Sequence, residues 1–423
     1  MESHKDASEI CEFYKDKHVL LTGGTGMLGK LLFHRLKKED PIFMERLKIV
    51  PGDVSEPGHG LSSADVEHLI EKVQVVFHTA ATVKFDEPLS TATKINSVVH
   101  VSTAYSHSPR KEIREEFYQT PISPQGLIAL DDNLSPQLLN VITPQIMGEW
   151  INTYVFTKAV AEEAVRENVL TTRSEPIPNW IAHIHGPIII LVGYYVGAAC
   201  VLKFNNNDKG ELVPADMTVN CLLAVGYETA KSRKLQEIPI YNFTSHPQNP
   251  LLWADMFRFN EERIMEIPYS QTYWHYSSKF IFKNNFLYYL LAFFLQILPA
   301  VIIDLGLIFL HKKPRFLKKY NKIHYSMHLL EYFTTQTWIF SLENTMGLWR
   351  SLNDEDKKLF DFNMESLDFK SFLKGTIDGI RIYLKDEEKD LTCTKRRYFI
   401  PVFTYGSETW DNSSAEEKEI LEQ

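Results

Sequence analysis

The sequence predicts an α/β fold built around a parallel β-sheet, and three observations support this. A short apolar run, residues 19–21, ends in a glycine-rich turn that opens an amphipathic helix. Strand-like and helix-like segments then alternate along the N-terminal half, as βαβ units require. With 423 residues, 44% of them hydrophobic, the chain can hold two or three domains. We therefore expect a Rossmann-like, doubly wound parallel sheet with a reduced number of strands.

The glycine-rich turn carries three glycines at intervals of three residues, Gly23, Gly26 and Gly29. In dinucleotide-binding turns one glycine permits the tight turn, one lets backbone N–H groups approach a pyrophosphate, and one allows close helix–strand packing. Glycines also mark ordinary turns, but these follow an apolar run and precede a segment, residues 28–38, with helical apolar spacing. The stretch is predicted to bind a dinucleotide.

The next elements continue the βαβ pattern. Because ligands of open α/β sheets gather at the carboxyl ends of strands, Ser102 and Thr103 are placed to reach a cofactor. The predicted strands are residues 47–53, 74–81 and 98–103, and the predicted crossover helix is Ser63–Lys72.

Tyr154 and Lys158 lie four residues apart in a predicted helix, residues 152–168, and so share one helix face. A nearby ammonium favours the phenolate and lowers a tyrosine pKa from near 10, which suits acid–base chemistry. The alternative is a half-buried tyrosine under a surface lysine. About one such spacing is expected by chance among 19 tyrosines, so the pair is informative only together with the other motifs.

Together, the glycine turn, the hydroxyl-bearing strand end and the Tyr/Lys pair resemble the extended short-chain dehydrogenases/reductases. The resemblance is closest to the fatty acyl-CoA reductases and extends from about residue 14 to about residue 390. The stretches that carry it are residues 22–29, 52–57, 76–88, 100–105, 175–180, 213–217, 338–344 and 379–383.

This resemblance implies NADPH-dependent reduction of a long-chain acyl-CoA to a fatty alcohol through a bound aldehyde. It implies that Thr103 and Tyr154 hydrogen-bond the developing oxyanion, and that Lys158 tunes the tyrosine and holds the nicotinamide ribose. It also implies a set of cofactor-binding residues, with Asp53 facing the adenine and two alanines lining the nucleotide cleft. The set comprises Thr22, Gly23, Gly26, Met27, Leu28, Gly29, Asp53, Ala80, Ala81, Tyr154 and Lys158.

The chain departs from the family pattern at three places. The usual second strand, with its basic residue for the 2′-phosphate, has no counterpart after the first helix, and residues 94–97 run directly into the next strand. A strand ending in Arg-Pro normally follows at the position after residues 170–174. Two alternatives therefore stay open: another extended reductase, acting on hydroxysteroids or sugar nucleotides, and an inactive membrane-bound cofactor-binding relic. The first gives no reason for a helical C-terminal domain.

Residues 286–310 are almost entirely apolar, with Asp304 as their one charge, and could span a bilayer by length. The alternative is a buried helical hairpin of the C-terminal domain. Pro299 is predicted to break the segment into two short arms, giving a hydrophobic re-entrant hairpin with both flanks cytosolic. Lysines that follow the segment would attract anionic headgroups. We expect a membrane lipid surface as partner and a cytosolic catalytic domain, at the endoplasmic reticulum or peroxisome.

Composition excludes several other classes of function. A net charge of −9 argues against nucleic acid as a partner, and the first fourteen residues lack the apolar core of a signal peptide. Four scattered cysteines and 15 unclustered histidines predict no metal and a reducing compartment. Nothing in the sequence indicates an oligomeric state. The expected order is a reductase domain (14–235), a substrate-side region (236–285), the membrane segment (286–310), a small helical domain (320–390) and an acidic tail (391–423).

Overall fold

The computed structural model describes residues 7–39, 47–52, 60–79, 99–165, 170–174, 187–231, 238–267 and 280–384. The chain forms two compact units, each built from separated segments. Unit 1 comprises Met1–Ile177, Glu211–Pro250 and Trp338–Leu367, and unit 2 comprises Pro178–Gly210, Leu251–Thr337 and Asp368–Gln423. The consecutive domain order given above stays a prediction.

The strands of the described residues are short, and most belong to unit 1. In chain order they are β1 Val19–Thr22, β2 Val75–His78, β3 Val99–Ser102, β4 Glu112–Ile113, β5 Leu170–Ser174, β6 Val201–Leu202, β7 Lys209–Gly210, β8 Ile240–Phe243, β9 Leu251–Leu252, β10 Phe280–Ile281 and β11 Ile339–Phe340.

The helices include two long ones in the C-terminal half. In chain order they are α1 Glu9–Tyr14, α2 Met27–Glu39, α3 Ser63–Lys72, α4 Pro124–Asn133, α5 Pro136–Met147, α6 Thr153–Val165, α7 Pro187–Tyr195, α8 Ala215–Lys231, α9 Trp253–Glu266, α10 Asn285–Ala292, α11 Leu298–Phe309, α12 Phe316–Thr334, α13 Glu343–Ser351, α14 Asp354–Leu359 and α15 Phe369–Tyr383.

Unit 1 is organised around a five-stranded sheet with the order β1-β2-β3-β5-β8. All four pairings are parallel, and β1 and β2 align from Val19 beside Val75 to Thr22 beside His78. The predicted fold class is confirmed: an α/β unit with a parallel sheet, and helices over the C-terminal part of the chain. All described strands of this sheet lie on one side of β1.

The two faces of the sheet are covered by different helices, because successive side chains of a strand point to opposite faces. Phe77 packs beside Gly226 of α8, so the face that carries Phe77 lies under α8. His78 and His100 lie at paired positions on the opposite face, and Ser102 follows His100 on that face. Ser102 bonds to Glu162 of α6, so α6 covers this second face.

Two strand predictions need correction. Residues 47–52 form no strand, and Ile49 is 83% exposed, because this apolar run has no described strand beside it to pair with. Residues 170–174, which were predicted to precede a gap in the sheet, themselves form β5, which pairs with β3 and β8. The shortened crossover before residue 98 and the acidic tail lie outside the described residues.

The segment Trp338–Leu367 belongs to unit 1, although it is far along the chain. Strand β11 pairs in parallel with β4, and Asn344 and Thr345 donate backbone N–H groups to the Glu115 carboxylate. The backbone N–H of Asn242 in β8 donates to the same carboxylate. This late segment therefore completes the sheet unit.

Unit 2 contains the apolar segment, which forms one helix from Asn285 to Phe309 and is not broken at Pro299. The prediction of two arms separated at Pro299 was wrong. A π-helical turn, Phe293–Ile297, precedes the proline, and Leu298 donates its N–H to the Phe293 carbonyl. Such a turn accommodates a proline because it widens the backbone where the ring would otherwise meet a carbonyl.

A helical hairpin does form in unit 2, but its turn lies at residues 310–315. His311 takes a left-handed φ of +54° and donates its N–H to Ile308, and Lys312 donates to Leu307, a Schellman ending. The Asp304 carboxylate then accepts the N–H groups of residues 315, 316 and 317 at 2.8–3.0 Å. The one charge of the apolar segment thus caps α12.

Candidate functional site

The glycine turn has the geometry that a pyrophosphate requires. Gly23 takes a φ of +72°, and Gly26 donates its N–H to the Gly23 carbonyl at 2.9 Å. A Cβ atom on Gly29 would lie 2.2 Å from the Gly23 oxygen, so only glycine permits this contact between α2 and the turn. Met27 and Leu28 begin α2, whose N-terminus favours an anion. These residues fit a dinucleotide.

The strand that precedes the turn ends at Thr22, another predicted cofactor residue. Its hydroxyl hydrogen-bonds the Nδ1 atom of His78 at 2.7 Å, which ties the ends of β1 and β2 together. The predicted residues Asp53, Ala80 and Ala81 lie outside the described residues.

Thr103 directly follows β3, at the carboxyl end of the sheet, and is buried. The Tyr105 N–H donates to the Thr103 hydroxyl oxygen at 3.3 Å, and the Ser106 N–H donates to the Thr103 carbonyl. The Trp150 indole N–H bonds the Ser106 carbonyl at 2.7 Å. Thr103 is therefore held in a tightly bonded turn.

Tyr154 and Lys158 both lie on α6, as the spacing predicts, with Tyr154 half-buried and Lys158 buried. The Asn152 side chain caps the helix by accepting the Val155 N–H at 3.0 Å. The Lys158 ammonium donates to the Val101 carbonyl at 2.8 Å, two residues before Thr103. Burial lowers the pKa of Lys158 to about 8, against the opposing effect of Glu162.

A buried polar cluster beside these residues escaped the sequence analysis. Ser102 donates to Glu162 at 2.5 Å, and His107 lies 3.0 Å from the other oxygen of the same carboxylate. His100 stacks on His78 with a centroid separation of 5.7 Å. Burial, then the charge of Lys158, holds the pKa of His100 well below its usual 6.5. The sequence feature that could have identified Glu162 is its position four residues after Lys158, which itself lies four residues after Tyr154.

The described residues contain no group of three or more metal-ligating side chains. The arrangement is instead a glycine-rich turn and a Thr/Tyr/Lys group at the carboxyl edge of one parallel sheet. Such a fold and site define a nicotinamide-dependent reductase of the extended short-chain class.

Comparison with known proteins identifies the family. An NAD-binding family model described as male sterility protein matches residues 37–98 and 94–222, and a second model with the same description matches residues 295–387. The chain is 32% identical to fatty acyl-CoA reductase wat of Drosophila melanogaster, over 93% of this chain and 89% of the fly protein. It is 30% identical to human fatty acyl-CoA reductase 1, over 90% and 87% of the two chains. The chain belongs to the fatty acyl-CoA reductase family, as the motifs predicted.

The alignment with the fly protein also bears on the departures from the family pattern. It has 463 positions, more than the 423 residues of this chain, so the relative has residues where this chain has none.

A solved structure supports the fold. The terminal R domain from the myxalamid PKS-NRPS biosynthetic pathway superposes with a TM-score of 0.52 at 15% identity, covering 88% of this chain and 93% of the domain.

Proposed function

We propose that this chain reduces long-chain fatty acyl-CoA to a fatty alcohol with NADPH, and that Thr103, Tyr154 and Lys158 are its catalytic residues. The supporting observation is the bond from the Lys158 ammonium to the Val101 carbonyl, which anchors α6 beside the strand end that carries Thr103. The glycine turn lies at the carboxyl end of β1 in the same sheet.

NADPH, when bound, would supply one hydride from its nicotinamide ring, so the two reductions would consume two NADPH molecules in sequence. In our proposal the Thr103 hydroxyl and the Tyr154 phenol donate hydrogen bonds to the thioester oxygen as it gains negative charge. After the CoA thiolate leaves, Tyr154 gives its proton to the alkoxide of the reduced aldehyde. The Lys158 ammonium stabilises the phenolate that remains.

Replacing single residues tests this assignment. Tyr154→Phe should abolish alcohol formation from palmitoyl-CoA while NADPH binding survives, because only the proton donor is lost. Lys158→Ala should weaken both, since the lysine acts on the tyrosine and on the ribose. Near-normal turnover by Tyr154→Phe would show that the catalytic assignment is wrong. Product analysis separates this function from that of a hydroxysteroid or sugar-nucleotide reductase, and absence of any turnover would favour the inactive relic.

The proposal includes a membrane surface, because the apolar helix of unit 2 exposes its apolar side chains. It is long and apolar enough to cross a bilayer. Its buried stripe repeats every four residues as far as Asp304 and then every three, and it is partly polar, whereas large apolar side chains such as Phe309, 87% exposed, point outward. The stripe consists of Tyr288, Ala292, Gln296, Ala300, Asp304 and Leu307.

Helix α12, which packs against this buried stripe, argues against a simple transmembrane span. Helix α12 lies along the apolar helix from Asp304, which caps it, to Tyr288, whose hydroxyl bonds the His324 Nδ1 atom at 2.8 Å. A span would carry the charged residues of α12 into hydrocarbon, which is costly. In our proposal the helix lies in the interfacial plane with its outer faces among acyl chains, and Lys312, Lys313 and Lys318 near anionic headgroups.

Vesicle flotation tests the membrane contact. Phe309→Asp combined with Phe286→Asp should release the protein from vesicles that contain phosphatidylserine. The matched control is Ile382→Asp, which alters a similarly exposed apolar residue on α15 and should leave binding intact. Equal flotation of the parent chain, the double Asp variant and Ile382→Asp would contradict the proposed membrane surface.

A further inference from the structure

Helix α6 carries a third ionisable residue, Glu162, one turn beyond Tyr154 and Lys158. Tyr154, Lys158 and Glu162 follow one another at intervals of four and share a helix face. Glu162 is only 1% exposed, so its charge lies inside the protein. Burying a carboxylate costs free energy unless the group is hydrogen-bonded, so the hydrogen-bond partners of Glu162 indicate its role.

Two partners of Glu162 in the described part of the chain lie on either side of Thr103. Ser102, the last residue of β3, donates its hydroxyl to Oε1 at 2.5 Å. His107 lies four residues after Thr103, with its Nε2 atom 3.0 Å from Oε2. One carboxylate therefore bonds both flanks of the short turn that carries the threonine, and each of its oxygens serves one flank.

The chemistry of the cluster suits an ionised glutamate. A carboxylate is a pure acceptor with two oxygens, so it can accept from the Ser102 hydroxyl and the His107 ring N–H together. An uncharged amide would have to turn its NH₂ group toward one of them. Lys158 lies one helical turn away, and its bond to Val101 ties the same strand end to α6.

We infer that Glu162 is a positioning residue that sets the place of Thr103 relative to Tyr154 and Lys158 by bonding Ser102 and His107. This inference rests on the proposed function, because positioning has a catalytic meaning only if Thr103, Tyr154 and Lys158 act on the substrate. It extends the site to Glu162 and His107, which the sequence analysis did not assign, and gives Ser102 a partner within the protein.

The test compares Glu162→Gln with Glu163→Gln. Glu163 is the adjacent acid on the same helix, is half-buried and bonds Thr120 rather than the Thr103 turn, so it is a matched control. Glu162→Gln should lower kcat about tenfold or more, the loss expected from one charge-assisted hydrogen bond, while the KM for NADPH stays within about threefold. Glu163→Gln should retain kcat within about twofold.

A pH profile separates positioning from a general loss of stability. Lys158 interacts electrostatically with Glu162 on α6 and with His100 on β3, and His100 in turn interacts with His78 on β2. Because Glu162 favours the ammonium, its neutralisation should move the alkaline limb of kcat to lower pH. Glu163→Gln should leave the limb in place.

Hydrogen exchange of the Thr103 turn gives a readout that needs no turnover. Amides of residues 103–108 should exchange about tenfold faster in Glu162→Gln than in the parent chain, and at the parent rate in Glu163→Gln. Unchanged exchange, or equal kcat in both variants, would overturn the inference. Loss of activity in Glu162→Gln with normal turnover in Tyr154→Phe would instead overturn the proposed function.

Discussion

Gly29 lies so close to Gly23 that a Cβ atom on residue 29 would come within 2.2 Å of the Gly23 carbonyl oxygen. Gly29→Ala should therefore displace α2 from the turn, destabilise the protein by about 1–3 kcal/mol and abolish dinucleotide binding. Thermal unfolding with and without NADPH measures both effects. Gly24→Ala is the control for stability, since its Cβ would meet only Leu21 at an ordinary 3.9 Å. Equal melting temperatures for both variants would contradict the prediction.

NADPH binding should be weak relative to a family member that has the missing strand and its basic residue. Losing a charge-assisted phosphate contact should cost on the order of 1.5–3 kcal/mol, or about ten- to a hundredfold in affinity. Titration of both proteins with NADPH and NADH measures this. Tight binding of NADPH by this chain, with a strong preference over NADH, would show that another residue holds the 2′-phosphate.

The pKa of Lys158, about 8, predicts an alkaline limit to activity. The ammonium is lost as pH rises through that value, so kcat/KM should fall there, and Lys158→Arg should remove this limb because the guanidinium stays charged. The same shift makes the free energy of unfolding rise between pH 8 and 10.5, since only the unfolded chain keeps the proton there. A pH profile of Lys158→Arg that still falls near pH 8 would assign the limb to another group.

Asp304→Ala should destabilise unit 2 by about 1–3 kcal/mol, because three N–H groups at the start of α12 lose their acceptor. Thermal unfolding in mild detergent measures the effect. Ile303→Ala, a neighbouring and more exposed position, should change the melting temperature much less. A similar loss in both variants would mean that the cap contributes little.

Sequence patterns predicted the elements whose signal is local. The crossover helix was predicted at Ser63–Lys72 and forms there, because its apolar spacing and its Ser62 cap are both encoded within one stretch. Strand β1 forms at the predicted apolar run 19–21 and continues to Thr22, and β3 lies within the predicted residues 98–103. The spacing of Tyr154 and Lys158 likewise identified α6.

The errors arose where structure depends on distant partners. The run at residues 47–50 contains three apolar residues, yet a strand forms only where another strand pairs with it. Pro299 was expected to break its helix, but the π-helical turn Phe293–Ile297 accommodates the proline and the helix continues. Glu162 was missed because Ser102 and His107 are 60 and 55 residues away along the chain.

The discontinuous make-up of unit 1 has a consequence for how the protein is made. Trp338–Leu367, which pairs with β4 and bonds Glu115, leaves the ribosome only after the segment Leu251–Thr337 of unit 2 has been synthesised. The sheet must wait for these last residues with part of its core open, a state that favours aggregation and engages chaperones. A premature stop codon before residue 338 would therefore leave the sheet unit itself unfinished, and not merely remove a C-terminal appendage.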